Sequence, residues 1–400
     1  MAKKESSDNF QQLNLFNFNK EFYKIKKPIR LIELFAGIGA QAKALEVLGV
    51  PFEHWKICEW AAPSIRAYNA IHIKDTTDYS KNKTKEELVE FLDGNISTNY
   101  NDPCNVAKKN EEWLRDIYNN CIATHNLMNI MKVSGKDLEI VDTNKYCYIM
   151  TYSFPCQDLS LAGKRQGMET SQAQGGTRSG LLWEVERILD ELNREREHST
   201  LPQVLLMENV PEVIGAGNVK HFNKWLLKLE SLGYTNYFQI LNSKHYFIPQ
   251  NRRRCFMVSI LGDYAYEFPL KHKLQNGLNK IIEPKVDEKY NLSEDFIKYL
   301  TADDTKKYKR KQAFQYTLKS CNEKNIAVAL STRQGRGACD NYIKIKNATT
   351  KGYLEAEPGD GVDISTRMHH HRGTVQKNTC QTITTSGGES VGVVIKENEE

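Results

Sequence analysis

Four short stretches carry residues whose types and spacing could do chemistry. Ser153-Phe154-Pro155-Cys156-Gln157 follows the apolar run CYIMTY. A thiol just past a strand, behind a proline that stiffens the loop, can be held in one attack position. A buried structural cysteine is the other reading of the same residue. Leu205-Leu206-Met207-Glu208-Asn209-Val210 ends a second apolar run in a carboxylate. In a cleft such a group can hold a proton for delivery, whereas at a surface it is a helix cap or an ion-pair partner. Gln250-Asn251-Arg252-Arg253-Arg254 sets Arg252 and Arg254 at period two. On a strand they share one face, where guanidinium groups can hold a phosphate or a base carbonyl, or simply meet solvent. Phe35-Ala36-Gly37-Ile38-Gly39-Ala40-Gln41-Ala42 is a glycine turn of the form G-x-G-x-x-A. Glu59 follows roughly 20 residues on, spaced to hold ribose hydroxyls. NAD and S-adenosylmethionine pockets both take this form, and so does a tight turn with no ligand.

The elements that must position these groups are legible from periodicity. IRLIELF, the glycine turn and QAKALEVLGV read as strand, turn and amphipathic helix. Further buried-strand runs are predicted at 148–152, 203–207 and 254–260, with helices in GLLWEVERILDELNRERE and HFNKWLLKLESLGY. Strands alternating with helices predict an α/β domain over 28–262, with a mostly parallel sheet and helices on both faces. The polar segment 73–134 reads as a helical insertion, and residues 1–27 as a polar N-terminal arm. Residues 263–400 lose the alternation and carry Gly, Thr, Lys and Arg in short clusters, as a smaller, irregular β-rich domain would.

Composition narrows the setting. The chain has 400 residues and a net charge of +5, mildly basic and compatible with a nucleic-acid partner. Nine cysteines are scattered and never spaced C-x-x-C, which points away from zinc ribbons and disulfide frameworks and toward a reducing cytoplasm. No apolar run approaches the roughly 18–20 residues of a membrane span, and the N-terminus has no apolar signal core. His369-His370-His371 sit together in a basic loop and read as solvent-exposed, because neighbouring side chains on one strand do not all face one ion. No metal is expected.

FAGIG, Glu59-Trp60, PCQ, RSGLLWE, ENV and QNRRR stand in the order of the motifs of the DNA cytosine-5 methyltransferase family, which the chain resembles across 29–260. The resemblance implies a Rossmann-like, S-adenosylmethionine-dependent methyltransferase domain followed by a target-recognition region. By resemblance, Phe35, Gly37 and Gly39 line the cofactor site with Pro155. Glu59 would hold the ribose, Trp60 would stack on adenine, and Asp137 in KDLEIV would face the adenine amino group. Gln157 and Gln250 would face DNA. Thr382-Ile383 matches a Thr-Leu-type dipeptide of the recognition region, where Arg333, Arg336, Arg367 and Arg372 are candidates for base or phosphate contacts.

The implied reaction gives its own reasons for these residues. Cytosine C5 is a poor nucleophile until something adds to C6, and the Cys156 thiolate can do so. Glu208 fits protonation or hydrogen bonding at N3, and Arg254 with Arg252 fits the base carbonyl and a nearby phosphate. The base must be flipped out of double-stranded DNA. Restriction-modification or phage self-protection would be the setting. The family's closing R-x-L-T-P-x-E and G-N-S/A segments have no match, so a second polypeptide carrying them, a truncated chain or a substituting element is expected, and without a second polypeptide a monomer. Two alternatives share some of the motifs: a DNA-binding subunit of a split enzyme, and a tRNA cytosine-5 methyltransferase. The large region after 262 favours DNA over tRNA. An NAD dehydrogenase has no use for PCQ, ENV and QNRRR.

Overall fold

The computed structural model describes residues 20–155, 178–194, 200–277 and 280, together with four short strands further on. Cα packing divides the chain into two units, Met1–Leu241 with Arg253–Leu270, and Asn242–Arg252 with Lys271–Glu400.

The first unit is an α/β structure of Rossmann-like form. Its six-stranded sheet runs β2 (Phe52–Cys58), β1 (Ile29–Leu34), β3 (Cys147–Tyr152), β4 (Val204–Asn209), β7 (Arg253–Leu261), β5 (Tyr234–Asn242). β1 pairs in parallel with both β2 and β3, β3 pairs in parallel with β4, and β7 joins β4 antiparallel. Five of the six residues of β1 are buried, as a strand covered on both faces requires. The helices earn their places by the same logic. α5 (Leu182–Arg194) buries Leu182, Val185, Ile188, Leu189 and Leu192, a stripe at helical spacing. α6 (Val219–Ser231) buries Phe222, Trp225 and Leu229, and the Trp225 indole N–H donates to the Tyr152 hydroxyl at 3.1 Å.

β5 was not among the strands that periodicity suggests. Only Tyr234 at its start is fully buried and the rest of the strand is partly exposed, so it lacks the continuous apolar run that marks its neighbours. Between β2 and β3, α2 (Ala62–Tyr68), α3 (Lys85–Leu92) and α4 (Glu111–Ala123) close over a separate core of Ala62, Ile65, Leu88, Leu92, Leu114 and Ile117. Local signals start both later helices. Thr84 and Glu87 form a reciprocal capping box for α3, and the Asn110 side chain accepts from the Trp113 N–H at the start of α4.

Near the start of β1, Arg30 stacks between two rings, its guanidinium carbon 3.6 Å from the centroids of both Trp55 and Tyr146. α1 (Ala40–Val47) starts directly from the glycine turn, with Gly39 as its N-cap.

In the second unit, β6 (Gln250–Asn251) pairs in parallel with β8 (Ala327–Val328). β9 (Gly361–Asp363) lies between β10 (Val375–Gln376) and β11 (Val391–Val393), antiparallel to both. Among the described residues no helix is long and apolar enough to cross a membrane.

Leu189 is fully buried in the α5 stripe, whereas Leu227 on α6 is 66% exposed. Leu189→Ala should therefore cost about 2–5 kcal/mol in urea unfolding, and Leu227→Ala within about 0.5 kcal/mol of nothing.

Candidate active site

In the parallel part of the sheet, the candidate residues gather at the carboxyl ends of the strands, where open α/β sheets bind their ligands. β1 ends at Leu34 and the chain turns through Phe35, Gly37 and Gly39, all at positive φ (58°, 57° and 78°). A Cβ on Gly37 would meet nothing within 4 Å, so its backbone borders open space. A Cβ on Gly39 would come within 2.4 Å of His72 Nε2 and 2.7 Å of the Tyr68 ring, so only glycine packs there.

Glu59, just past β2, is buried. Its carboxylate accepts from the Gly37 N–H at 2.8 Å and the Ala61 N–H at 2.7 Å. Burial pushes its pKa upward, against the backbone hydrogen bonds that favour the charged form. Asn126 holds the backbone of the same residue: its side-chain oxygen accepts from the Glu59 N–H at 3.0 Å, and its amide donates to the Glu59 carbonyl at 2.9 Å. Trp60 is partly buried, and its carbonyl accepts from the Ser97 N–H. These features fit a nucleoside cofactor: bare backbone at Gly37, and a carboxylate with lone pairs left over after its backbone bonds.

Asp137 lies in a short 3₁₀ turn, Gly135–Leu138, where its carboxylate accepts from both the N–H and the hydroxyl of Ser134, at 2.7 and 2.8 Å. Its described partners are thus those of a local cap.

β3 leads into Ser153, Phe154 and Pro155, beyond which Cys156 and Gln157 lie outside the described residues. Two side chains that sequence reasoning gave no role hold this loop. The Asn209 amide, buried at the end of β4, donates to the Phe154 carbonyl at 3.0 Å, while its oxygen accepts from the Val210 N–H at 2.8 Å. The Gln41 amide, in the first turn of α1, donates to the Ser153 hydroxyl at 3.0 Å. Asn209 was visible as the middle letter of ENV, but nothing in the spacing says which carbonyl it reaches.

Next to Asn209, Glu208 Oε1 lies 2.9 Å from Arg254 Nε, across the β4–β7 pair. Both side chains are partly buried. Arg254 also donates to the carbonyl of Arg253 at 2.8 Å. Arg252 and Gln250 belong to the second unit. Arg333, Arg336, Arg367, Arg372 and Thr382 lie outside the described residues. The five described cysteines are all buried, and burial pushes Cys121 and Cys255 up to about 12 and raises Cys58 and Cys147. None of these four offers a thiolate near neutral pH.

A parallel sheet with a glycine turn after its first strand and a buried carboxylate after its second defines a nucleotide- or nucleoside-binding α/β protein. The profile of the C-5 cytosine-specific DNA methylase family matches residues 96–386. The chain belongs to that family, the DNA cytosine-5 methyltransferases. The glycine turn and Glu59 precede the matched residues. The orphan methyltransferase M.SssI of Spiroplasma monobiae is 38% identical over 289 residues, spanning 67% of this chain and 70% of that protein. The Type II methyltransferase M2.ScrFI of Lactococcus lactis subsp. cremoris is 39% identical over 269 residues, spanning 66% and 70%. Among solved structures, the S. pombe Dnmt2 methyltransferase is 17% identical with a TM-score of 0.42, over 67% of this chain and 64% of that one.

The turn gives two checks. Gly39→Ala should lose about 1–2 kcal/mol from the left-handed backbone alone, and more from the contact with His72 and Tyr68, whereas Gly37→Ala should lose only the backbone part; urea unfolding separates them. Glu59 has a raised pKa in the folded state, so its contribution is fully present below the unfolded value, near 4.5, and is lost as pH rises through the folded value. The stability gap between wild type and Glu59→Gln should therefore narrow between pH 4 and pH 7.

Proposed function

We propose that this chain transfers a methyl group from S-adenosylmethionine to C5 of a cytosine flipped out of double-stranded DNA, through a covalent bond between Cys156 and C6. The observation that carries the reading is the Asn209 clamp. It fixes the Phe154 carbonyl, two residues before Cys156, at the strand tip that also bears the Glu208–Arg254 pair.

The cofactor supplies an electrophilic methyl group on a sulfonium. Gly37 gives it a close backbone wall with Phe35, Gly39 and Pro155; Glu59 takes the ribose hydroxyls, Trp60 the face of the adenine and Asp137 its amino group. The Cys156 thiolate donates its electron pair to C6, forming an S–C6 bond, while Glu208 holds a proton at N3 to accept the charge that leaves the ring double bond. Arg254 orients Glu208 and, with Arg252, faces the base carbonyl and a phosphate as negative charge develops. C5 then takes the methyl group, and the donor sulfur keeps the electron pair of the broken bond. Loss of the C5 proton to solvent re-forms the C5–C6 double bond, expels the Cys156 thiolate and returns the N3 proton to Glu208.

Flipping is required because C6 and C5 are covered on both faces within a stacked duplex. Gln157, Gln250, Arg333, Arg336, Arg367, Arg372 and Thr382 would contact the DNA around the extruded base. Work in the cytoplasm as the modifying arm of a restriction-modification system is the biological setting this reading favours, in line with the names of its Type II relatives.

Labelled methyl transfer to unmethylated mixed-sequence duplex DNA tests the reaction. Wild type should place label on cytosine C5 and trap a covalent adduct on 5-fluorocytosine DNA. Cys156→Ser should do neither, and Glu208→Gln should slow transfer by about 10²–10⁴-fold while still binding cofactor. Label on C5 with Cys156→Ser at wild-type rates would rule out the covalent route.

A further inference from the structure

The loop that joins β5 to β7, Asn242–Arg252, belongs to the second unit and carries an exposed aromatic ring that the proposed reaction does not use. Its neck is closed. The Ser243 N–H donates to the Arg252 carbonyl at 3.0 Å, the Ser243 hydroxyl to the Gln250 carbonyl at 2.6 Å, and the Asn242 amide to the Asn251 side-chain oxygen at 2.8 Å. The N–H groups of Tyr246 and Ile248 both donate to the Ser243 carbonyl, which fixes the tip as well. The tip is nevertheless built against its own stability. Phe247 stands at φ 66°, in left-handed backbone that a bulky side chain resists. It and Ile248 remain 48% and 53% exposed. Glycine would relieve the backbone, and a polar side chain would suit the water. A large apolar group held under both disadvantages points to something that covers it.

The surroundings of the ring indicate what that is. Phe247 stacks on the exposed His272 ring, with centroids 5.0 Å apart and an interplanar angle of 25°. The His272 N–H donates to the His245 carbonyl at 2.9 Å, which ties residues 271–273 to the loop. Lys271 and Lys273 flank His272 and are exposed. With Lys244 and Arg252 they are the Lys and Arg residues of segments 242–252 and 271–276, which contain no Asp or Glu. Burial, together with the Lys244 and Lys271 charges, lowers the His245 pKa, as a positive local field does. A protein partner's apolar patch has no need of such a field. Flat bases strung between phosphates call for an aromatic face and cations together.

We propose that Phe247, backed by Ile248, enters DNA as a wedge that fills the space an extruded base leaves, with Lys271 and Lys273 on the flanking phosphates. This rests on the flipped-base reading above and adds to it a residue that keeps the gap occupied. Extrusion strips the neighbouring bases of a stacking partner, and the ring replaces that partner. The closed neck presents the ring already ordered, so little freedom is lost on insertion. The same neck leads straight into β7, whose second residue is Arg254, the partner of Glu208. The wedge and a proposed catalytic residue are thus carried on one continuous piece of chain.

Mixed-sequence duplex DNA bearing single abasic sites offers such a space without any flipping by the protein. The full-length wild type should bind it about 5–100-fold more tightly than the intact duplex, the range expected of one base–aromatic stack. Phe247→Gly should lose that preference while keeping its circular dichroism spectrum. Phe247→Trp should retain the preference, and its added fluorescence should be quenched by the abasic duplex. Lys271→Ala should weaken binding to both duplexes alike and lower the salt slope by about 1. The same preference in wild type and Phe247→Gly, or unquenched Phe247→Trp emission in the complex, would overturn the wedge. Should Phe247→Gly misfold, the emission of Phe247→Trp decides alone. None of these readings needs methyl transfer. A wild type that fills the gap yet never methylates would fell the reaction and keep the wedge, and the reverse result would fell the wedge alone.

Discussion

The buried carboxylate of Glu59 is the constraint on which the candidate site depends. It stands at the end of β2 and takes one backbone N–H from the glycine turn and one from the start of α2. Asn126 then fixes its main chain from the opposite side. Three segments far apart in sequence meet on one residue, and each contributes a donor or acceptor that would otherwise be buried unpaired. A network of this kind is stabilising only when complete, which makes its members hard to exchange singly. The turn can therefore keep three left-handed positions, at the alternate residues Phe35, Gly37 and Gly39, that would relax if left unsupported.

The same economy of contacts recurs along the sheet. Asn209 holds the loop after β3 from the tip of β4, and Gln41 reaches that loop from α1. The cofactor half and the base half of the proposed site are thus joined by side-chain amides as well as by the sheet. Glu33, buried within β1, accepts from the Ala42 N–H at 3.2 Å and from Tyr68, linking the strand to α1 and α2 behind the turn.

Much of this was legible in the sequence, because local signals carry it. A glycine turn after an apolar run, a carboxylate at the next strand's end and a Glu-Asn-Val tip can be read from neighbouring letters. The buried strands β3, β4 and β7 showed themselves as apolar runs, whereas β5, half-exposed along most of its length, did not. Long-range partners were illegible for a different reason. Nothing in the spacing of Glu46, His54 and His72 says that they meet, since they lie on a helix, a strand and a turn that only the fold brings together. Asn126 likewise looks like any polar residue of the insertion until its bonds to Glu59 are seen. Asp137, chosen by its place before the PCQ strand, also accepts from Ser134, a short-range contact that S-x-x-D spacing itself encodes.

The sheet's strand order has a consequence for how the chain assembles as it leaves the ribosome. Ile29 in β1 pairs with Phe52 on one edge and with Cys147 on the other. The first pairing is available early, but the second waits until the whole of the insertion has been synthesised. During that interval the inner edge of β1, a strand with five of its six residues buried, is bare and open to other chains. The insertion, with a small core of its own, can condense meanwhile without needing β3. The nascent protein is thus exposed to mispairing for longest at the strand that carries the glycine turn.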